Sequence, residues 1–132
     1  MKNVKKVLLD TNFLLMPGQL GVDIFSAITN VLDKCEFLVL DKSVKELEGI
    51  ASSQRGKHKQ AARLALKLLE SKDLKIITTP PDKKDIPVDD VIASLAKEQD
   101  MIVATQDKGL RQRIDKSLFL RQKRYVMTRG LV

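Results

Sequence analysis

The sequence predicts an α/β domain, a parallel sheet of five strands with helices packed over it. Three observations carry that expectation. Apolar runs of strand length alternate with segments of helical periodicity, the β-α-β-α order of a parallel sheet. Acidic residues stand where strands stop, at Asp10, Asp41 and Asp107. No internal repeat, low-complexity tract or linker divides the 132 residues, so 1–132 reads as a single domain.

Residues 4–9 form the first predicted strand, stopping at Asp10, and Thr11 and Asn12 open a turn or helix start. Past Pro17, Gly18 and Gly21 a helix is expected over 23–33, with Ile24, Ile28, Val31 and Leu32 as its buried face. Residues 37–40 are the second strand. Asp41 then caps a helix over 42–51, its carboxylate accepting backbone N–H groups, with Val44, Leu47 and Ile50 inward. Residues 52–59 are polar and contain Gly56, which predicts a loop carrying His58. A helix resumes over 61–69 with Leu64, Ala65 and Leu68 inward. Residues 74–78 are the third strand, and 80–87, bounded by prolines, is a connection. A helix over 88–97 faces the core through Val91 or Ile92, Leu95 and Ala96, and 101–105 is the fourth strand. A helix over 108–116 follows Asp107, anchored by Leu110 and Ile114, and 124–128 is the fifth, terminal strand.

Composition narrows the function. With 43% hydrophobic and 31% charged residues the chain is neither disordered nor membrane-inserted in character. Its apolar runs fall short of the roughly 20 residues a span needs, and no signal-peptide order opens it. The single cysteine, Cys35, cannot close an intramolecular disulfide, which suits a reducing, cytoplasmic compartment. The single histidine, His58, rules out a His-rich zinc cage. The net charge is +7, and from Asp107 onward eight basic residues face two acids, so the excess is concentrated in the last quarter. Such a basic segment suggests a polyanion, most simply a nucleic acid, as partner.

Acids at four positions fall where a parallel α/β sheet binds ligands, outside the carboxyl ends of its strands. Asp10 ends strand one, Glu46 projects from the helix after strand two, Asp89 and Asp90 open the helix after strand three, and Asp107 ends strand four. Each alone has an ordinary structural reading, as a turn residue, a helix cap or a surface helix acid. Together at one edge they repel, and a divalent cation would offset that repulsion. Oxygen donors without a cluster of His or Cys point to Mg2+ or Mn2+. An acidic metal pocket with basic flanks suits metal-assisted phosphodiester hydrolysis, in which the ion clamps the phosphate and supplies an activated water. No Gly-rich phosphate loop follows a strand, and no nucleophilic triad can be built around one histidine. Strand one ends Asp10-Thr11-Asn12, which fits neither a phosphoacceptor receiver nor a D-x-D phosphatase.

The words V-L-L-D-T-N-F (7–13), V-K-E-L-E (44–48), D-D-V-I-A-S-L-A (89–96) and I-V-A-T-Q-D (102–107), in that order and spacing, resemble a PIN domain across essentially the whole chain. The resemblance implies a Rossmann-like three-layer α/β/α fold and a metal-dependent endoribonuclease with Mg2+ or Mn2+ held by a quartet of acids. Carried over by motif, Asp10, Glu46 and Asp107 are three of these; the third in order is Asp89 or Asp90, the family spacing selecting Asp89 and leaving Asp90 as a supporting or alternative ligand. Thr11, Asn12 and Thr105 match polar positions that hold acids or water. The D-T-N-F, E-L-E, D-D and D-K-G-L-R-Q-R-I words are similar to the small-subunit-processome nuclease that cleaves precursor ribosomal RNA, in its short archaeal form. VapC-type toxin nucleases of toxin–antitoxin pairs share the same quartet.

These readings lead to a cytoplasmic endoribonuclease acting on precursor rRNA or other single-stranded RNA. The basic helix after Asp107 (Lys108, Arg111, Arg113) and the loop with Arg55, Lys57 and Lys59 would grip flanking phosphates. The alternatives are a VapC-type toxin with an antitoxin partner, and a non-catalytic RNA-binding scaffold beside ribosome-assembly proteins. The resemblance also admits a homodimer, and either one or two ions.

Overall fold

Strand β1 (Lys5–Leu9) runs through the middle of the sheet, and its sequence shows why. Val7, Leu8 and Leu9 are completely buried, the continuous apolar run needed where both faces of a strand are covered. The computed structural model covers residues 4–53 and 55–131; Gln54, inside the predicted 52–59 loop, lies outside the described residues. After β1 come the short helices α1 (Thr11–Leu14) and α2 (Met16–Leu20), then α3 (Ile24–Leu32), β2 (Cys35–Leu40), α4 (Asp41–Ser53), α5 (Gly56–Ser71) and β3 (Lys75–Ile77). A 3-10 turn (Pro81–Lys83), α6 (Val88–Glu98), β4 (Ile102–Ala104), α7 (Lys108–Gln112), β5 (Ser117–Arg121) and β6 (Tyr125–Arg129) complete the chain.

The sheet order is β3-β2-β1-β4-β5-β6, with every pairing parallel except β5 with β6. Alternation along β1 divides the core. Val7 and Leu9 join Phe13, Ile24, Ile28, Leu47, Ala61 and Ala65 on one face, whereas Leu8 joins Val91, Ile92, Leu95 and Leu110 on the other. Helices thus cover both faces, and the architecture is the three-layer α/β/α fold that the sequence predicts.

Three local expectations give way. The sheet has six strands where five were expected. The predicted helix over 108–116 stops at Gln112, because 117–121 carries alternating apolar residues, and Leu118 and Leu120 bury themselves by pairing with the free edge of β4. The terminal strand, Tyr125–Arg129, then returns antiparallel through a tight turn and not through a helix. The polar stretch expected as a loop is mostly helical: α4 runs to Ser53 and α5 starts at Gly56, so Lys57, His58 and Lys59 stand on its first turn. Val31 and Leu64, expected inward, are 48% and 37% exposed, since α3 packs through Ile24, Phe25, Ile28 and Leu32 and α5 through Ala61, Ala62, Ala65 and Leu69.

Small residues in α5 have a purpose visible at α2. A Cβ on Gly18 would overlap the Cα of Ala61, so only glycine lets α2 lie against α5. Gly21, at φ 69°, then ends α2 in the left-handed conformation. The chain passes from β1 outward to β2 and β3, then crosses back to β4 on the other side of β1. The strand order therefore reverses between β1 and β4, and at that reversal the carboxyl ends of the strands leave a crevice.

Candidate active site

Asp10 is the first residue past β1, and its N–H still donates to Ala104 O of β4 at 3.0 Å, extending the parallel ladder to the floor of the crevice. The side chain is 5% exposed and held by three donors. Thr11 N–H reaches Oδ1 at 2.9 Å, while Asn12 Nδ2 and Thr105 Oγ1 reach Oδ2 at 3.1 and 2.7 Å. Thr11 Oγ1 donates to Glu46 Oε1 at 3.0 Å, which ties α4 to the same floor. The loop after β4 is clamped as well. Gln106 N–H donates to Asn12 Oδ1 at 3.1 Å, and Asp107 N–H to Thr105 Oγ1 at 3.1 Å. Asp107 Oδ1 accepts Leu110 N–H at 3.1 Å, capping α7.

Asp10, Thr11, Asn12 and Asp107 line a cleft of about 410 Å³, together with Glu46, Asp89, Gln19 and His58. Asp10, Glu46, Asp89 and Asp107 are thereby brought to one concavity from four separate elements. Asp90 is not among the lining residues; it forms an ion pair with Arg113 at 2.5 Å. No lysine or arginine lines the cleft among the described residues. Burial above all pushes the Asp10 carboxyl above its ordinary value of 3.8; Asp89 and Glu46 push the same way, against the hydrogen bonds from Thr105 and Thr11.

Residues 7–123 match the sequence family described as PIN like domain. The chain belongs to the PIN family. This PIN domain is 34% identical over 113 residues to the rRNA-processing protein FCF1 of Saccharomyces cerevisiae, across 84% of the chain and 54% of FCF1, so it spans about half the length of that relative. Among solved structures it is similar to the PIN domain endonuclease Utp24, with TM-score 0.77 at 24% identity over 96% of this chain and 92% of that one. It is also similar to VapBC2 from Rickettsia felis bound to a DNA fragment from their promoter, with TM-score 0.58 at 18% identity over 83% and 92%. At these identities the structural likeness is one of fold.

Among the described residues of this PIN domain, no three His, Cys, Asp or Glu side chains converge into a ready-made metal cage. The donor set still fits a hard divalent cation. The carboxylates offer oxygen ligands only, and Mg2+ commonly keeps several waters while taking one or two carboxylates directly. Asp107 Oδ2 makes no hydrogen bond among the described residues, and Asp89 and Glu46 add to the burial that disfavours the charge on Asp10, an effect a cation there would offset.

The basic residues expected to grip RNA divide into two groups. Arg55, Lys57 and Lys108 are exposed, and Lys59 is half-buried. Arg111 and Arg113 are engaged within the PIN domain: the Arg111 guanidinium lies 4.0 Å from the Phe119 ring centroid, and Arg113 holds Asp90. Two residues of the site had no assigned role in the sequence. Gln106 locks the loop to β5 by a reciprocal pair, Nε2 donating to Leu120 O at 3.1 Å and Oε1 accepting Leu120 N–H at 2.5 Å, a strand-like bond that only its place between Thr105 and Asp107 could have hinted at. His58 reaches the cleft because α5 starts earlier than its polar sequence suggests.

Proposed function

We propose that this PIN domain is a Mg2+- or Mn2+-dependent endoribonuclease that hydrolyses RNA phosphodiester bonds in rRNA processing. The observation that carries the reading is the buried Asp10, held by three donors on the floor of a cleft whose walls carry Glu46, Asp89 and Asp107. A protein that only held RNA would gain nothing from carboxylates gathered against the phosphates. Those four acids would hold the ion, with Asp90 kept by Arg113 as an outer support of α6. A divalent ion there supplies Lewis-acid polarisation of the phosphate and an activated water. Thr105, Asn12 and the Thr11 N–H fix the Asp10 carboxylate, the Thr11 hydroxyl fixes Glu46, and Gln106 fixes the loop that presents Asp107, so the acids meet the substrate already oriented.

The rRNA-processing assignment is supported by the 34% identity to FCF1, whereas the toxin reading has only fold-level likeness behind it. The scaffold reading draws on the lack of a preformed cage among the described residues. Cleavage of a single-stranded pre-rRNA fragment separates them. With Mn2+ or Mg2+ the parent should cut and stop cutting in EDTA. Asp10→Asn should lose more than the roughly 10–100-fold that removal of an outer partner costs. An Asp10→Asn chain as active as the parent would sink the mechanism.

A further inference from the structure

Segment 116–131 contains no acid and five basic residues. Lys116 is occupied by Asp100 at 2.8 Å, but Arg121, Lys123, Arg124 and Arg129 are exposed and make no ion pair among the described residues. These cations, with Lys108 and not the engaged Arg111 and Arg113, form the free positive surface of the C-terminal quarter among the described residues. Because β5 is parallel to β4, the turn that follows it stands at the same sheet edge as Asp10 and Asp107. There Gln122–Tyr125 form one wall of a groove of about 450 Å³ whose other wall is Leu20, Gly21 and Val22. Helix α2 separates this groove from the acidic cleft: Gln19 lines the cleft, and the next residue, Leu20, lines the groove. The end of α2 is thus the shared boundary of cleft and groove.

The turn itself is unusual. Gln122 and Lys123 both have positive φ, 55° and 59°, where tight hairpins ordinarily place Asn and Gly. Lys123 thus holds a cation at the tip in a conformation its side chain disfavours, and strain of this kind tends to accompany function. Tyr125, 52% exposed, is the one exposed aromatic residue of the chain's five and pairs across the hairpin with Arg121. Cations around an exposed ring are what sequence-tolerant binding of single strands requires.

We infer that the β5–β6 turn and the groove beside α2 are a docking site for single-stranded RNA flanking the acidic cleft, with Lys123 and Arg124 meeting phosphates and Tyr125 stacking on a base. The identity of the polyanion rests on the endoribonuclease reading; continuity with the cleft favours RNA over an acidic protein surface.

The test measures fluorescence anisotropy of a labelled single-stranded RNA on the full chain, made non-cleaving by Asp10→Asn or, independently, by EDTA. Lys123→Gln with Arg124→Gln should weaken binding about tenfold and lower the salt slope by about 1.4 between roughly 50 and 200 mM salt, at about 0.7 per single-strand phosphate contact. Tyr125→Leu should weaken binding about tenfold at every salt concentration with the slope unchanged. Gln122→Asn with Lys123→Gly, the residues the turn geometry favours, should raise the Tm while lowering RNA affinity, a combination a purely structural turn would not give. Parent-like affinity and slope in the Lys123→Gln, Arg124→Gln chain would overturn the inference and point to another polyanion, such as an acidic protein surface; so would absence of saturable RNA binding by the parent in EDTA. Cleavage by the parent with unaltered binding by the turn variants sinks the docking site and leaves the nuclease reading standing, whereas turn-dependent binding without cleavage does the reverse.

Discussion

Burial sets the Asp10 carboxyl above its ordinary range, and the Thr105 hydroxyl works against that rise. A carboxyl whose folded-state pKa lies above its unfolded value favours the fold only while protonated. That contribution is full below about 3.8 and is lost as the pH rises through the folded value. Ionised Asp10 therefore opposes folding at neutral pH, and a cation in the cleft would offset it. Thr105 is completely buried and serves twice, donating to Asp10 and accepting from Asp107 N–H. Thr105→Val should move the acid limb of the kcat/KM–pH profile to higher pH, because the ionised Asp10 loses a donor. The orphaned Asp107 N–H should also lower stability by about 1–2 kcal/mol in denaturant melts. Thr105→Ser, which keeps the hydroxyl, should restore both. The motif words assign roles to Asp10, Thr11, Asn12, Thr105 and Asp107; Gln106 stands inside the I-V-A-T-Q-D word without one, because its partner Leu120 lies on a strand the sequence does not reveal. Motif spacing selects Asp89 and keeps Asp90 as a supporting or alternative ligand; on α6 Asp89 lines the cleft while Asp90 is held by Arg113.

Element boundaries follow the same logic. Asp41 does more than cap α4: besides Lys42 N–H at 2.8 Å it accepts the N–H of Thr79 at 3.1 Å and the Thr79 hydroxyl, joining the start of α4 to the chain leaving β3. Lys42 Nζ then donates to Lys84 O and Ile86 O at 2.6 and 2.9 Å, fixing the connection from which α6 and Asp89 emerge. Burial opposes ionisation of Asp41, but the Thr79 and Lys42 hydrogen bonds together outweigh it and hold its carboxyl below the usual 3.8. A depressed folded-state pKa contributes stability above the unfolded value and loses it as the pH falls through the folded one. Asp41→Asn should thus cost about 1 kcal/mol at pH 7, discounted for partial exposure, with the difference from the parent shrinking below about pH 4 in a series of urea melts. The polar residues 56–59, expected in a loop, are helical because a helix packed through Ala61, Ala62, Ala65 and Leu69 can carry them on its outer face.

At the scale of the whole molecule, the reversal of strand order between β1 and β4 gathers four acids from different elements, while Arg121, Lys123 and Arg124 stand at the same edge beyond α2. A ligand that binds only the folded chain stabilises it by mass action, about 2.7 kcal/mol at a hundredfold excess over Kd. Mn2+ should therefore raise the parent's Tm saturably and leave that of Asp10→Asn little changed; a scaffold without a metal site would show no such Asp10-dependent rise in a thermal-shift titration. The sequence by itself determined the α/β class, the central buried strand and the positions of the acids, because hydrophobic period and motif spacing are local properties of the chain. It could not determine the antiparallel β5–β6 pair, the helical start of α5, or the division of cations into engaged and free. Those depend on which partner lies across a strand edge or beside a guanidinium, and only tertiary packing brings such partners together.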